Sequence, residues 1–351
     1  MRSEPSTRLK RGWTTGACAT AATKAALCSL WAGEEVELIT ITLPKGEKPT
    51  FKISFFEKKD NWVEVGIIKD AGDDPDVTHG ALIKVKVEET ESGIIFSAGP
   101  GVGTVTKPGL PISVGEPAIN PMPRKFISEI VEQMAQRFNR KPAVKVTISI
   151  PNGDKIAKKT WNSRLGIKDG LSILGTTGVV RPFSCAAWIA SIHRGIDVAI
   201  ATKEQHVAGC TGSTSEAVVQ TLYGLPKHAM LDMGDFSGGL IKYLRRHPIP
   251  KLTIGGGIGK ITKLAQGARD LHSKRSQVDF STLNKWAKER NLGDVSHANT
   301  ALQALEICGP DLALLVAQKA LECVKHQIGD VGICCDIVVV DRAGNIVGQA
   351  S

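Results

Sequence analysis

The glycine run at residues 255–259 is the stretch whose residue types and spacing most directly suggest chemistry. A short apolar segment ending at Ile254 leads into Gly255, Gly257 and Gly259, and apolar residues then recur at helical spacing. Such a loop lets the backbone approach a ligand closely, and the helix start offers unpaired N–H groups. The G-x-G-x-G spacing occurs in many S-adenosylmethionine enzymes, so we predict a cofactor loop here. A tight turn without a ligand is the alternative.

Two other nucleotide-binding patterns do not fit this loop. A P-loop would need glycine at Ile254 and Ser or Thr at Ile261. A dinucleotide fingerprint would need a third glycine at Lys260. The missing third glycine also counts against a nicotinamide oxidoreductase, which is the first rival function.

A second glycine loop, Gly175-Thr176-Thr177-Gly178, is the other candidate for the cofactor site. Near the start of the chain, Thr14 and Thr15 supply capping chemistry for an Ala-rich helix. Small residues along that helix would let a flat ligand come close, so both threonines are candidate substrate-binding residues. A closely packed helix with no ligand is the alternative.

Asp70, Asp73 and Asp74 lie in an acidic segment, Lys69–Gly80. These carboxylates could bind a cation or orient a sulfonium group, and we include them among the candidate substrate-binding residues. A solvated turn with aspartate caps explains the same cluster.

A long loop, Ala98–Arg124, is rich in proline and glycine but also contains Val, Ile and Leu. This composition predicts a rigid, packed loop, and long structured loops are usually functional. Lys107 and Arg124 are candidates to bind a substrate carboxylate, or are surface charges.

No residue pattern in the chain indicates a nucleophile or a resident metal. The eight cysteines contain no C-x-x-C pair, and the eight histidines show no metal-ligand spacing. We expect reduced cysteines, a cytoplasmic location and no metal site. The catalytic residues cannot be assigned from the sequence.

The composition limits the partners of the chain. No apolar stretch is long enough to span a membrane, and the charged N-terminus has no signal-peptide core. The net charge is +9, but basic residues are scattered and aromatic residues make up 5% of the chain. A small polyanionic substrate therefore explains the charge better than nucleic acid does.

The 351 residues are enough for two domains. Residues 1–160 predict an α+β domain, in which 81–87 and 93–97 are expected to form a hairpin. Residues 161–351 alternate strand and helix, which indicates a parallel α/β sheet. In that part we predict strands at 196–201, 228–233, 252–254 and 331–340, the last with a hairpin partner. In such sheets ligands bind beyond the carboxyl ends of the strands.

Several stretches together resemble the CbiD-type cobalt-precorrin-5B C(1)-methyltransferases of cobalamin biosynthesis. They occur in order and extend over nearly the whole chain, which makes the resemblance far more specific than any one glycine loop. The matching stretches are RGWTTGACATAATKAAL (11–27), KDAGDDPDVTHG (69–80), GPGVGTVTKPGLPISVGEPAINPMPR (99–124), TWNSRLGIKDGLSILGTTGVVRP (160–182) and GGGIGKITKLAQG (255–267).

The resemblance implies methyl transfer from S-adenosyl-L-methionine to C-1 of cobalt-precorrin-5B, giving cobalt-precorrin-6A. It also implies an α+β N-terminal domain with the substrate contacts, followed by a Rossmann-like three-layer α/β domain with the cofactor. The implied partner is a polycarboxylated cobalt-tetrapyrrole, with homo-oligomerisation and transient contacts with neighbouring pathway enzymes left open. A tetrapyrrole carrier without catalytic activity is the second rival.

One stretch departs from the family pattern. Residues 270–279 carry more basic residues, and His272, Lys274 and Arg275 could contact substrate carboxylates or lie in a solvated loop.

Overall fold

The computed structural model describes residues 9–351, so the first eight residues of the charged N-terminus lie outside the described part. The chain forms two compact units, the first ending at Ser184 and the second beginning at Cys185. The architecture is mixed α/β, as the sequence predicts.

The first unit contains three helices and thirteen short strands within its described residues. The helices are α1 (Thr15–Ala32), α2 (Pro121–Phe138) and α3 (Gly153–Ala157). The strands are β1 (Gly12–Trp13), β2 (Leu38–Thr40), β3 (Thr50–Lys52), β4 (Phe55–Lys59), β5 (Trp62–Ile68), β6 (Leu82–Glu89), β7 (Ile94–Ala98), β8 (Gly101–Val102), β9 (Thr104–Val105), β10 (Val144–Ser149), β11 (Ile167–Lys168), β12 (Gly170–Leu171) and β13 (Val179–Val180).

Residues 161–184 pair with the first unit, whereas the sequence assigned them to the second domain. Strand β11 pairs with β9, β12 with β8, and β13 with β1. The unit therefore ends at Ser184 rather than near residue 160.

The main sheet of the first unit has the order β4-β5-β6-β10-β7. Its pairs are antiparallel except for β10 and β7, which run parallel. The hairpin predicted from residues 81–87 and 93–97 is therefore wrong, because β10 lies between β6 and β7. Alternating apolar residues such as Val85 and Val87 bury one face of this sheet.

Helix α1 packs against that sheet and against α2, and nearly all of it is buried. The Thr14 side chain caps its start by accepting a hydrogen bond from Ala17 N (3.2 Å). Its small residues permit close approach: a Cβ at Gly16 would lie 2.8 Å from the Pro123 side chain.

The long loop 98–124 is packed, as the sequence predicts. Its residues Val105, Ile112 and Ala118 form a small hydrophobic cluster with Ile167. Its two short strands form sheet pairs, β8 with β12 and β9 with β11.

The acidic segment 69–80 is anchored by a buried lysine. The Lys69 side chain is 1% exposed, and its Nζ lies 2.6 Å from Oδ2 of Asp76. Asp76 also accepts hydrogen bonds from the backbone N and the hydroxyl of Thr78 (2.7 and 2.6 Å). Burial raises the pKa of Asp76, but Lys69 and Thr78 together outweigh this and hold it below its ordinary value.

The second unit contains one five-stranded sheet, and helices connect most of its strands along the chain. Its helices are α4 (Cys185–Ala201), α5 (Ser213–Tyr223), α6 (Ser237–Leu244), α7 (Ile258–Ala265), α8 (Phe280–Glu289), α9 (Ala301–Cys308) and α10 (Pro310–Ile328), with a short 3₁₀ turn at Lys227–Ala229. Its strands are β14 (His206–Cys210), β15 (Met230–Leu231), β16 (Lys251–Gly257), β17 (Cys334–Val340) and β18 (Ile346–Ala350).

The sheet order in this unit is β15-β14-β16-β17-β18. The first four strands are parallel, as the pattern of this part predicts, although β14 is not among the predicted strands, and β18 is the antiparallel hairpin partner of β17. The strand predicted at 196–201 is wrong, because helix α4 continues through it. Ile192, Ile196 and Ala199 are all buried at helical spacing, so this apolar run is one face of a helix.

Among the helices of residues 9–351, none combines the length and apolar character needed to cross a bilayer.

The Lys69–Asp76 pair gives a first prediction. Asp76→Asn should lower the free energy of unfolding by about 3 kcal/mol at pH 7, because it removes the counter-charge of a buried ammonium group. The folded-state pKa of Asp76 is lowered, so its contribution is complete above the unfolded value of about 3.9 and is lost as the pH falls through the folded value. Urea unfolding should therefore show a difference from wild type that shrinks below about pH 4.

The control for this prediction is Lys10→Met. Lys10 pairs with Asp70 at 2.6 Å, but the two side chains are 66% and 44% exposed. Screening by water makes such pairs weak, so stability should barely change. Equal losses in the two variants would contradict the special role of the buried pair.

Candidate functional site

The candidate cofactor loop lies at the carboxyl end of β16, next to the carboxyl end of β14. Thr211 N donates to Gly255 O (2.9 Å), which holds the two strand ends together. The chain order reverses at this point, since β15 lies on the far side of β14 and β17 on the far side of β16. Crevices at such reversal points are the usual ligand sites of open parallel sheets.

The first two glycines of the loop are required by packing. A Cβ at Gly255 would lie 2.7 Å from the Val219 side chain of α5, and a Cβ at Gly256 would lie 2.7 Å from the Thr211 hydroxyl. Gly255, a predicted cofactor residue, is thus explained by close helix–strand contact alone.

The next two glycines, Gly257 and Gly259, have no such explanation. A Cβ at Gly257 would meet only Val340 O at 3.9 Å, and a Cβ at Gly259 only the Ala301 side chain at 3.8 Å, which are ordinary contacts. Gly257 has φ −72° and ψ 156°, which any residue adopts. Gly259 lies in the first turn of α7, where glycine is about 1 kcal/mol less favourable than alanine.

The start of α5 beside this loop is similar. Gly212 precedes α5 with an extended backbone, and no atom lies within 4 Å of a Cβ built on it. Neither Gly212 nor Gly257 has a side chain that could cap its helix, so the first N–H groups of α5 and α7 have no side-chain cap. Because Gly212, Gly257 and Gly259 have no side chains, they leave an open space at the starts of α5 and α7. We call this space the glycine cradle, and it is suited to an anionic or polar ligand group.

A charged pair stands beside the cradle. Lys260 Nζ, on the first turn of α7, lies 2.5 Å from Oδ1 of Asp235 in the loop after β15. Gly212, Asp235 and Lys260 were not predicted as site residues. Gly212 lies two residues after the end of β14, a strand that was not predicted, and only the strand order shows that β14 is next to β16.

The second glycine loop, 175–178, is held in place by the first unit. Gly175 and Gly178 have φ of 141° and 82°, a region that favours glycine. A Cβ at Gly175 would clash with the Thr14 side chain, and one at Gly178 would lie 2.5 Å from Leu43. Both glycines therefore have structural explanations, unlike Gly257 and Gly259. Between them, Thr176 is exposed and Thr177 is partly buried.

The predicted substrate threonines, Thr14 and Thr15, join the start of α1 to that second loop. Thr15 Oγ1 accepts from Leu174 N (2.9 Å) and is 3.2 Å from Leu174 O. Thr14 N donates to Gly178 O (3.0 Å). Two of the sequence motifs are thus brought together, and the Thr15 hydroxyl is used in joining them.

The three predicted aspartates are also engaged in local contacts. Asp70 accepts from Lys10 Nζ (2.6 Å) and Gly72 N (2.8 Å), and the hydrogen bond from Lys10 is the main cause of its lowered pKa. Asp73 accepts from Lys10 N (2.5 Å), and Asp74 accepts from Phe183 N (2.8 Å). These carboxylates hold the beginning and the end of the first unit against segment 69–80.

Arg124 and Lys107 are placed differently. Arg124 donates to Ile119 O (2.9 Å), Pro117 O (3.1 Å) and Glu116 Oε2 (3.0 Å), so it clamps the end of the long loop. Lys107 is partly buried, with its aliphatic stem beside Gly166. Binding of substrate by either residue stays a prediction.

No metal centre is found within residues 9–351, where no three His, Cys, Asp or Glu side chains converge.

Comparison with known proteins shows what the chain is similar to. A family model described as CbiD matches residues 2–182, and one described as CbiD, C-terminal domain, matches residues 270–351. Proteins named cobalt-precorrin-5B C(1)-methyltransferase are 54% identical in Brucella anthropi (99% of this chain, 97% of that protein), 53% in Brucella canis (97% and 95%) and 51% in Paramagnetospirillum magneticum (97% and 98%).

One solved structure is also similar. It is a cobalamin biosynthesis protein, cbiD, from Archaeoglobus fulgidus, 30% identical, covering 81% of this chain and 85% of that one, with a TM-score of 0.42.

The contrast among the glycines gives a second prediction. Gly259→Ala should raise the free energy of unfolding by about 0.5–1 kcal/mol, because the helix gains a better residue and no neighbour is displaced. Gly255→Ala should lower it, because the new methyl group would press on α5. Thermal unfolding of the two variants without ligand measures both effects, and a destabilised Gly259→Ala would mean that the chain itself requires this glycine.

Proposed function

This chain belongs to the CbiD family, and we propose that it methylates C-1 of cobalt-precorrin-5B with S-adenosylmethionine as the methyl donor. The activity rests on relatives that are 51–54% identical over almost the full chain. The choice of donor rests on one structural observation, the open glycine cradle at the end of β16.

Gly257 and Gly259 are the residues we propose to hold the donor most closely. They leave room that the chain does not fill, whereas Gly175 and Gly178 are explained by backbone conformation and packing. This contrast favours the 255–259 loop over the 175–178 loop, the second candidate. Gly255 contributes indirectly, because it lets α5 approach the strand and places Gly212 beside the loop. When bound, S-adenosylmethionine supplies a methyl group already activated by its positive sulfur.

The chain's part in the reaction is then alignment and exclusion of water. Transfer from a sulfonium to a carbon nucleophile needs two centres in line and a dry site. The buried thiols fit a direct transfer, because burial raises the pKa of Cys18 to about 12 and that of Cys335 to about 11. Such thiols are protonated at neutral pH and do not serve as methyl carriers.

The first unit supplies the other proposed substrate contacts, namely Thr14, Thr15, Lys107, Arg124 and the aspartates Asp70, Asp73 and Asp74. Their hydrogen bonds support a positioning role more directly than a binding role, since most of their polar atoms already have partners. Arg124 would bind a carboxylate only through the part of its guanidinium that is not committed to the loop.

Several further features belong to the same proposal. The parallel order β15-β14-β16-β17 supports a Rossmann-like three-layer description of the second unit. The cysteines of residues 9–351 are all free thiols, which fits a cytoplasmic enzyme. The remaining partners, a second copy of the chain and neighbouring pathway enzymes, stay predictions.

The proposed activity is tested by incubating the protein with cobalt-precorrin-5B and S-adenosylmethionine carrying a ¹³C-methyl group. We expect S-adenosylhomocysteine and a pigment heavier by one labelled methyl, which NMR places on C-1. Pigment binding without S-adenosylhomocysteine would indicate a carrier protein. Tight binding of NADH with no binding of S-adenosylhomocysteine would indicate an oxidoreductase instead.

The proposed donor site gives a prediction of its own. Gly257→Val should fold as the wild type does but weaken S-adenosylhomocysteine binding by a factor on the order of ten or more, because the side chain fills the cradle. Calorimetry measures the affinity, and circular dichroism checks the fold.

The matched control for this variant is Thr176→Val, which alters an exposed residue of the other glycine loop. We expect it to leave the affinity unchanged. If Thr176→Val weakens binding and Gly257→Val does not, the donor is held at 175–178.

A further inference from the structure

A second feature of the second unit is a cavity of about 770 Å³ bordered by α4, α6 and the segment 269–275. Its volume lies within the range of small-molecule sites. It shares no lining residue with the glycine cradle. We call it the arginine groove.

The arginine groove is strongly basic. Its only lining carboxylate, Asp270, is already paired with Arg275 at 2.5 Å. Within residues 9–351 the side chains of the other four cations form no ion pair or hydrogen bond, and all four residues are exposed. Unpaired cations in one concave surface raise the local concentration of anions. The five cations are Lys242, Arg245, Arg246, Arg269 and Arg275.

The floor of the groove is apolar and contains flat rings. Ile189, Phe236 and Ile241 line it, together with His193 and Tyr243. The rings of His193 and Tyr243 are stacked, with centroids 4.0 Å apart and planes within 12°. Burial lowers the pKa of His193, which favours the neutral form of this ring.

The groove begins close to the proposed donor loop. Phe236 lines the groove, and the preceding residue, Asp235, contacts Lys260 in the first turn of α7. Lys260 directly follows Gly259. The lining of the groove is therefore linked through this ion pair to the loop assigned to the methyl donor.

These observations define the chemistry of the ligand. A rim of arginines suits carboxylates, because the guanidinium group binds them through paired hydrogen bonds. An apolar floor with aromatic rings suits a flat, conjugated body. We propose that the arginine groove binds the acetate- and propionate-bearing edge of the tetrapyrrole substrate, a proposal that rests on the proposed function.

The test uses uroporphyrin, a stable tetrapyrrole with acetate and propionate side chains, titrated against the full chain and followed by absorbance. Arg246→Gln combined with Arg269→Gln removes two charges but keeps most of the side-chain length. We expect binding to weaken by a factor on the order of a hundred, with less dependence on salt than in the wild type. Affinity for S-adenosylhomocysteine should not change.

The matched control combines Lys285→Gln with Arg290→Gln, which removes the same charge from exposed residues of the second unit outside the groove. Little change in uroporphyrin binding is expected. A second groove variant, Lys242→Gln combined with Arg245→Gln, should show the same loss of uroporphyrin binding. It distinguishes a loss of groove charge from misfolding of the first variant.

Three results would overturn the proposal. The first is unchanged uroporphyrin binding in both groove variants, and the second is an equal loss of uroporphyrin binding in the control variant. The third is that short single-stranded DNA binds as tightly as uroporphyrin and loses affinity equally in the groove variants. The DNA result would show that the groove binds polyanions in general. The methyl-transfer assay judges the proposed function separately, because uroporphyrin binding requires no methyl donor.

Discussion

The close approach of helix α5 to strand β16 is the constraint on which the second unit depends. Gly255 lacks the side chain that would meet Val219 of α5, and Gly256 lacks the one that would meet Thr211 just before that helix. With that distance fixed, α5 and α7 begin at the same edge of the sheet, next to the point where the strand order reverses. The cradle at Gly212, Gly257 and Gly259 follows from this arrangement. One glycine run therefore serves two purposes. Gly255 and Gly256 allow close packing of neighbouring segments, and Gly257 and Gly259 leave room for a ligand.

The location of this loop could be predicted from residues alone, because a buried apolar run followed by glycines and helical periodicity is a strong local pattern. The division of labour among the glycines could not, because it depends on what each missing side chain would touch. The arginine groove could be predicted only in part, through Arg275 in the basic stretch 270–279. Its cations come from residues 242–246 and from 269–275, and only folding places them around one cavity.

Two errors in the prediction of the fold have simple physical causes. Residues 196–201 include two isoleucines and a valine, which fit a buried strand as well as a buried helix face, and Ile192, Ile196 and Ala199 lie on the buried face of helix α4. The hairpin from 81–87 and 93–97 was inferred from a short turn. The partner that separates these strands, β10, lies about fifty residues later, and no local pattern reveals it.

The first unit is closed by its own two ends. Strand β1 at residues 12–13 pairs with β13 at 179–180, and Gly16 N donates to Leu174 O (2.9 Å). During synthesis the ribosome therefore releases helix α1 well before the partners of its first turn exist. Nearly every side chain of that helix is buried in the finished unit, mostly against β5, β6 and α2, so the nascent chain carries an apolar Ala-rich surface until α2 has emerged, and the partners of its first turn follow only near residue 180. The order of translation therefore exposes this apolar helix early, and the first unit is completed only after its last strand, β13, has been synthesised.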